Sequence, residues 1–268
     1  MTVLEIKNYL KTKNSVIIPV GGIEQHGHHL PTFTDSYLAE GIASRVAERL
    51  DILYAPVLYA SYSGGCLPGT INFNPNTLIL CLKDMCASLA LQGFRNIFIM
   101  LGHGGSENIK VMEASLPIII RENPIFDKVM IVYTPFWKFA KIFMKGFREG
   151  DGHGGEGETS MVMYLQPHLV MNTVELDSPD VVAGMKKHPD YYQKHEKPCD
   201  HPDVLPKITQ KDNIRVGVMG NIGSASADLG KKMISEAVDN IAALYQRLLA
   251  ERKEDYFEIQ PELGKIVL

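Results

Sequence analysis

The 268-residue chain is 45% hydrophobic and 22% charged, the balance of an ordinary folded globular protein, and its length sits at the upper edge of one large domain. A formal charge of −4 offers none of the basic surface that nucleic-acid binding needs, and no apolar run approaches the ~18 residues that a membrane span requires. The four cysteines (Cys66, Cys81, Cys86, Cys199) form no C-x-x-C pair, and the amino terminus lacks the apolar core of a signal peptide, so free thiols and a cytoplasmic setting are expected.

In chain order, Ser15–Val20 reads as a buried strand. Leu38, Ile42, Val46 and Leu50, four apart, mark an amphipathic helix from about Asp35. Leu53–Leu58 reads as a second strand. Leu78, Leu82, Met85 and Leu89 mark a second helix, with Gly93 placed to end it. Phe94–Leu101 and Lys128–Tyr133 read as further strands and Ile214–Met219 as a weaker one. Ser224–Leu249, opened by Ser and Asp and carrying Ile234, Val238, Ile241 and Leu248, reads as a long final helix. Strands alternating with helices imply βαβ units, hence a mostly parallel sheet covered on both faces. Residues 1–268 are read as a single α/β domain, interrupted by a polar, proline-studded excursion at about 186–213. A surface loop or oligomer arm is the expected role of that excursion, with a lid over the site as the alternative. The irregular spacing of its His188, His195, Cys199 and His201 argues against a zinc site there.

Polar residues crowd directly behind two apolar strands, in IIPVGGIEQHGHHLPTFTD (Ile17–Asp35) and IFIMLGHGGSEN (Ile97–Asn108). Ligands of open parallel sheets collect at the carboxyl ends of strands, so both segments should converge on one crevice. On extended backbone, Glu24 and His26, two apart, point to one side and can each take one metal of a pair. Asp35 follows at a helix start, where its carboxylate could bridge two ions, and His103 arrives from the other strand end. Carboxylates with imidazoles and no thiolate suit Zn, Mn or Fe. Two such ions can hold a hydroxide and polarise a carbonyl. A third segment, GDGHGGEGETSMVMYL (Gly150–Leu165), places His153, Glu156 and Glu158 in a glycine-rich turn leading into an apolar helix. They could supply an acid–base group or a further ligand, or Glu156–Ser160 could be only an acidic helix start. His28, Gly104 and Gly105 are expected on the substrate side.

At these residues the chain resembles the creatininase (creatinine amidohydrolase) family. P-V-G-x-x-E-Q-H-G-x-H-L followed by T-D (Pro19–Leu30, Thr34–Asp35) is similar to the family's first signature. P-G-T (Pro68–Thr70), G-H-G-G (Gly102–Gly105) and H-G-G-E-x-E-T-S (His153–Ser160) match later blocks in order, and G-V-M-G with A-S-A-D-x-G (Gly217–Gly220, Ala225–Gly230) looks like the last. The resemblance implies a three-layer α/β/α sandwich, two divalent metals per chain (Zn first, Mn or Fe as alternatives), and frequently a homohexamer. It implies that Glu24 and His103 bind one metal, His26 the other and Asp35 both. It further implies that metal-bound hydroxide hydrolyses a C–N bond, such as a cyclic amide or formamide, in a small polar molecule, with His153 acting on the substrate or its proton transfers.

Two positions depart from creatininase itself. Gly105 stands where that enzyme has a metal-binding Glu. Its pocket tryptophans match roughly Thr134 and Glu149, whereas the sole tryptophan here is Trp137. Without an aromatic sandwich a flat heterocycle loses stacking of ~1 kcal/mol, which makes creatinine a poor substrate. Glu107, Glu156 and Glu158 are the carboxylates available to replace the missing ligand. Glu158, which the family retains, is the expected one, with Glu156 as neighbour or proton carrier. Ring-opening of a cyclic polyol ketone (an inosose), and an inactive metal-binding oligomeric scaffold, are the competing expectations.

Overall fold

Two segments, SVIIPV and NIFIML, bury every residue they contain, as strands covered on both faces do. They are β1 (Ser15–Val20) and β3 (Asn96–Leu101), the centre of a four-stranded sheet in the computed structural model, which describes residues 1–253. The other elements are α1 (Val3–Tyr9), α2 (Thr34–Leu50), β2 (Leu53–Tyr54), α3 (Pro75–Gln92), α4 (Ser106–Glu122), β4 (Met130–Pro135), α5 (Lys141–Arg148), α6 (Glu156–Leu165), α7 (Pro179–Lys187), β5 (Gln193–Glu196), β6 (Lys207–Gln210) and α8 (Ala227–Glu251). The sheet runs β2-β1-β3-β4 with every pair parallel.

Alternation along the strands divides the core in two. Ile17, Phe98 and Met100 face one side, packing with Leu38 and Ile42 of α2 and Ile234 and Ile241 of α8. Val16, Ile18, Ile97 and Ile99 face the other, packing with Leu78 and Leu82 of α3 and Met112 of α4. The expected three-layer α/β/α architecture is therefore present. Local signals set its borders. The Asn74 side chain accepts from the backbone N–H of Asn76, Pro75 opens α3, and Gly93 closes it at φ +106°. Before α8, Ser226 accepts from the Leu229 N–H.

Three expectations need correction. The second strand pairs only at Leu53–Tyr54. The Ala55 N–H reaches the Ile17 carbonyl (2.8 Å), but the Pro19 carbonyl is met by the Leu58 N–H (2.9 Å) in place of that of Val57, so one extra residue breaks the register. Ile214–Met219 is not a strand. Its N–H groups at Arg215, Val216 and Gly217 donate to the carboxylate of Asp177 (2.6, 3.1 and 2.7 Å), so a side chain takes the place of a neighbouring strand. Residues 186–213 are not a plain surface loop: they hold the end of α7 and the antiparallel β5–β6 hairpin, and His188, Asp190, Tyr192 and Gln210 line the principal cavity. Among the described residues no helix is long and apolar enough to cross a membrane.

Candidate metal centre

The cluster lies at the carboxyl ends of β1 and β3, where Gly21 and Gly102 let the chain cross α2 closely. A Cβ on Gly102 would stand 2.3 Å from the carbonyl oxygen of Asp35, and one on Gly21 would stand 2.4 Å from Ser36. Beyond β1 the backbone is held by Glu24 N–H to the Thr32 carbonyl (2.8 Å) and Gln25 N–H to the Thr70 hydroxyl (3.1 Å). Glu24 and His26 converge as expected.

Each histidine is oriented by a carbonyl. His26 Nδ1–H donates to the Glu24 carbonyl (2.9 Å), and Nε2 is fully buried and without a hydrogen-bond partner. That Nε2 sits 3.3 Å from Asp35 Oδ1 and 3.5 Å from Glu158 Oε2. His103 Nε2–H donates to the Tyr62 carbonyl (3.0 Å), turning Nδ1 to Asp35 Oδ2 (2.8 Å) and Glu24 Oε2 (3.2 Å). His153 Nε2–H donates to the Gln25 carbonyl (2.5 Å), so its bare Nδ1 faces Glu24 Oε2 at 3.9 Å. Asp35, in the first turn of α2, thus gives one oxygen to each of two groups: Glu24 and His103 on one side, His26 and Glu158 on the other.

The electrostatics match a cation site. Burial opposes charge on His26, yet Asp35, Glu158 and Glu24 push its imidazole up to about 10. Burial likewise opposes charge on His103, and Asp35 and Glu24 override it, raising the group well above its ordinary value. Against burial, the imidazoles of His26 and His103 hold Asp35 far below the usual carboxylate range, and His153 and His103 hold Glu24 down. Burial dominates elsewhere, lifting Glu158 to about 7 and lowering His153. Three carboxylates, Asp35 buried and Glu24 and Glu158 partly buried, create a negative potential that asks for positive charge, and an orphaned imidazole nitrogen aimed at two carboxylate oxygens is a ready ligand for it. The donor set fits divalent metal.

Of the three carboxylates weighed for the second group, the structure brings Glu158 in; its Oε2 also accepts the Gly154 N–H (2.7 Å). Glu107 instead meets Ser106 and Gln193. Glu156 does not line the cavity. It opens α6, and residues two apart on a helix diverge by about 200°, so the extended geometry that would have aligned it with Glu158 is not present. His28 is also outside. Gly27, at φ +73°, turns the chain so that His28 meets Glu175 at the surface (2.7 Å). Gly104 and Gly105 do line the cavity.

Two contributors escaped sequence reading. His29, buried against the Thr159 hydroxyl (2.9 Å) with its imidazole lowered to about 4 by burial, ties the first loop to α6 as a neutral group. Gln25 holds His153, and its place between Glu24 and His26 was the available signal.

The cavity of about 550 Å³ above the cluster is walled by Phe136, Trp137, Phe143 and Phe147. Thr134, in β4, is buried and accepts a hydrogen bond from the Tyr245 hydroxyl (2.9 Å), and Glu149 is not in the wall. Aromatic surface is therefore present, supplied by other positions than the two expected.

Residues 1–245 match the Creatininase family (creatinine amidohydrolase). Creatinine amidohydrolase of Pseudomonas putida is 28% identical over 244 residues, covering 85% of this chain and 86% of that protein. A mycofactocin precursor peptide peptidase of Mycobacterium ulcerans is 26% identical, covering 87% and 85%. The 3-dehydro-scyllo-inosose hydrolase of Thermotoga maritima is 29% identical over 189 residues, covering 66% of this chain and 58% of that protein. A solved structure named "Creatininase Mn" superposes with a TM-score of 0.73 at 25% identity, covering 92% of this chain and 96% of that one. A mutant creatininase of Zn–Zn type gives 0.67 at 25% identity, covering 92% and 95%. With the motif blocks, the fold and the match along residues 1–245 all in agreement, the chain belongs to the creatininase family.

Proposed function

We propose that this protein is a dinuclear metal-dependent amidohydrolase that cleaves a C–N bond in a small molecule. The division of Asp35 between two ligand groups carries the reading. Glu24, Asp35 and His103 would hold one divalent cation, and His26, Asp35 and Glu158 the other, with zinc first and manganese or iron as alternatives. Bound there, the pair would acidify water and polarise the scissile carbonyl.

The chain's own groups do the rest. Carbonyls of Glu24 and Tyr62 fix the tautomers of His26 and His103, so neither ring spends rotamer freedom on binding. The Gln25 carbonyl fixes the proton of His153 on Nε2. Its Nδ1 is then free to take a proton from the attacking water and return it to the departing amine. Burial keeps that imidazole neutral, the state a base requires. The inosose hydrolase relative supports ring-opening of a cyclic ketone as a second reading.

Action in the cytoplasm as one catalytic domain, assembled as a homohexamer, completes the proposal. Exposed Leu80 and Leu91 on α3 offer apolar surface for self-association. Purified protein should carry close to two divalent ions per chain. Asp35→Ala should lose both, whereas Glu24→Ala should mainly weaken one. Elemental analysis showing no metal after reconstitution with Zn, Mn or Fe overturns the reading, and equal losses in the two variants remove the bridge.

A further inference from the structure

The cavity is much more apolar than a site for a small polar metabolite needs to be. Gly104, directly after His103, leaves open the way to Trp137, whose ring edge is 3.9 Å from where a Cβ would stand. Gly152, directly before His153, lies against Met219 in the same way, with a would-be Cβ 3.0 Å from the methyl group. The apolar wall therefore begins within one residue of the cluster on two sides, and it continues through Phe143, Met144, Phe147 and Met185.

Charge gives the second constraint. Among the described residues, no lysine or arginine lines this cavity, while Asp190 adds a carboxylate at the excursion side. Lys138, Lys141 and Arg148 belong to a neighbouring groove that shares only Trp137 and Met144 with it. A phosphate or carboxylate at the far end of the substrate, away from the proposed metals, would have no lysine or arginine to meet and would pass the Asp190 carboxylate.

We infer that the substrate is an amide carrying an apolar arm of phenyl or large aliphatic size, without negative charge, that lies along Trp137, Phe147 and Met219. This rests on the metal-dependent amidohydrolase reading and narrows it: small ring amides leave the wall unused, and phosphorylated substrates are disfavoured. Full burial of a phenyl group strengthens binding by about 10- to 100-fold.

Hydroxamates, which chelate metal through one common head, separate the two levels of argument. The full-length metal-loaded protein is titrated calorimetrically with acetohydroxamate, 3-phenylpropanohydroxamate and its 4-carboxyphenyl analogue. The phenyl compound should bind about 10- to 100-fold more tightly than acetohydroxamate, and the carboxylated one should lose most of that gain. Emission from Trp137, the sole tryptophan, should change with the phenyl arm and not with acetohydroxamate. Phe147→Ala, at an exposed wall position, should shrink the affinity ratio of the phenyl compound to acetohydroxamate, and an unchanged ratio counts against the inference. Acetohydroxamate binding with no gain from either arm sinks this inference alone. Equal affinity for the carboxylated arm does the same. Failure of acetohydroxamate itself, with elemental analysis showing metal-free protein, brings down the amidohydrolase reading as well.

Discussion

Gly105 shows how much one missing Cβ can decide. A Cβ there would stand 2.5 Å from His103 Nε2 and 3.2 Å from the Tyr62 carbonyl, the pair whose hydrogen bond sets the histidine's orientation. A glutamate at this position is therefore incompatible with the His103 geometry seen here, and Glu158 stands on the opposite side of Asp35. Gly105→Ala should fold, at a cost of about 1–3 kcal/mol from the forced contact, but should retain less metal than the parent protein. Metal content and thermal melting measured side by side check this, and unchanged metal content counts against it. The residues that the fold brings together were legible, because a carboxylate or histidine behind a buried strand has few other reasons to be there. Glu156 and His28 were not, since whether two residues share a side depends on local φ and ψ, which the pattern of residue types leaves open.

At the scale of elements, the strands and helices with clean periodicity were readable. The segments held by side chains were not. Residues 214–219 have a strand's composition, but Asp177, almost forty residues earlier, takes three of their N–H groups. Only the tertiary structure brings the two together. Met219 N–H in turn donates to the His153 carbonyl (2.7 Å), so Asp177 supports the His153 loop at one remove. Asp177→Ala should leave three donors without their partner and destabilise by about 3 kcal/mol or more. Urea denaturation gives the loss, and hydrogen exchange should locate it at residues 214–219. A loss below 1 kcal/mol would mean that water replaces the carboxylate easily. Gly230 is a second fixed contact, since a Cβ there would meet the Ser160 carbonyl oxygen at 1.9 Å, holding α8 against α6.

At the scale of the molecule, the layered α/β architecture was legible because period-2 and period-3.6 segments alternate for most of the chain. The excursion was not, because a hairpin whose residues line a cavity has the same polar composition as a loop. Creatinine would leave most of the 550 Å³ cavity empty, so its turnover should be far below that of a creatininase under the same metal loading. Efficient creatinine hydrolysis in a direct assay refutes this. The two cores flanking the sheet have different consequences for how the chain is made. The side built by α3 and α4 uses elements that are contiguous with the strands they cover, and it can close once β4 has left the ribosome. The other side waits for α8, about a hundred residues later, whose Ile234, Val238 and Ile241 cover Ile17 and Phe98. During that interval a nascent chain already carries Glu24, His26, Asp35 and His103, gains Glu158 only with α6, and leaves the part of the sheet that α8 covers exposed beside α2, the period when chaperone capture and aggregation compete with folding.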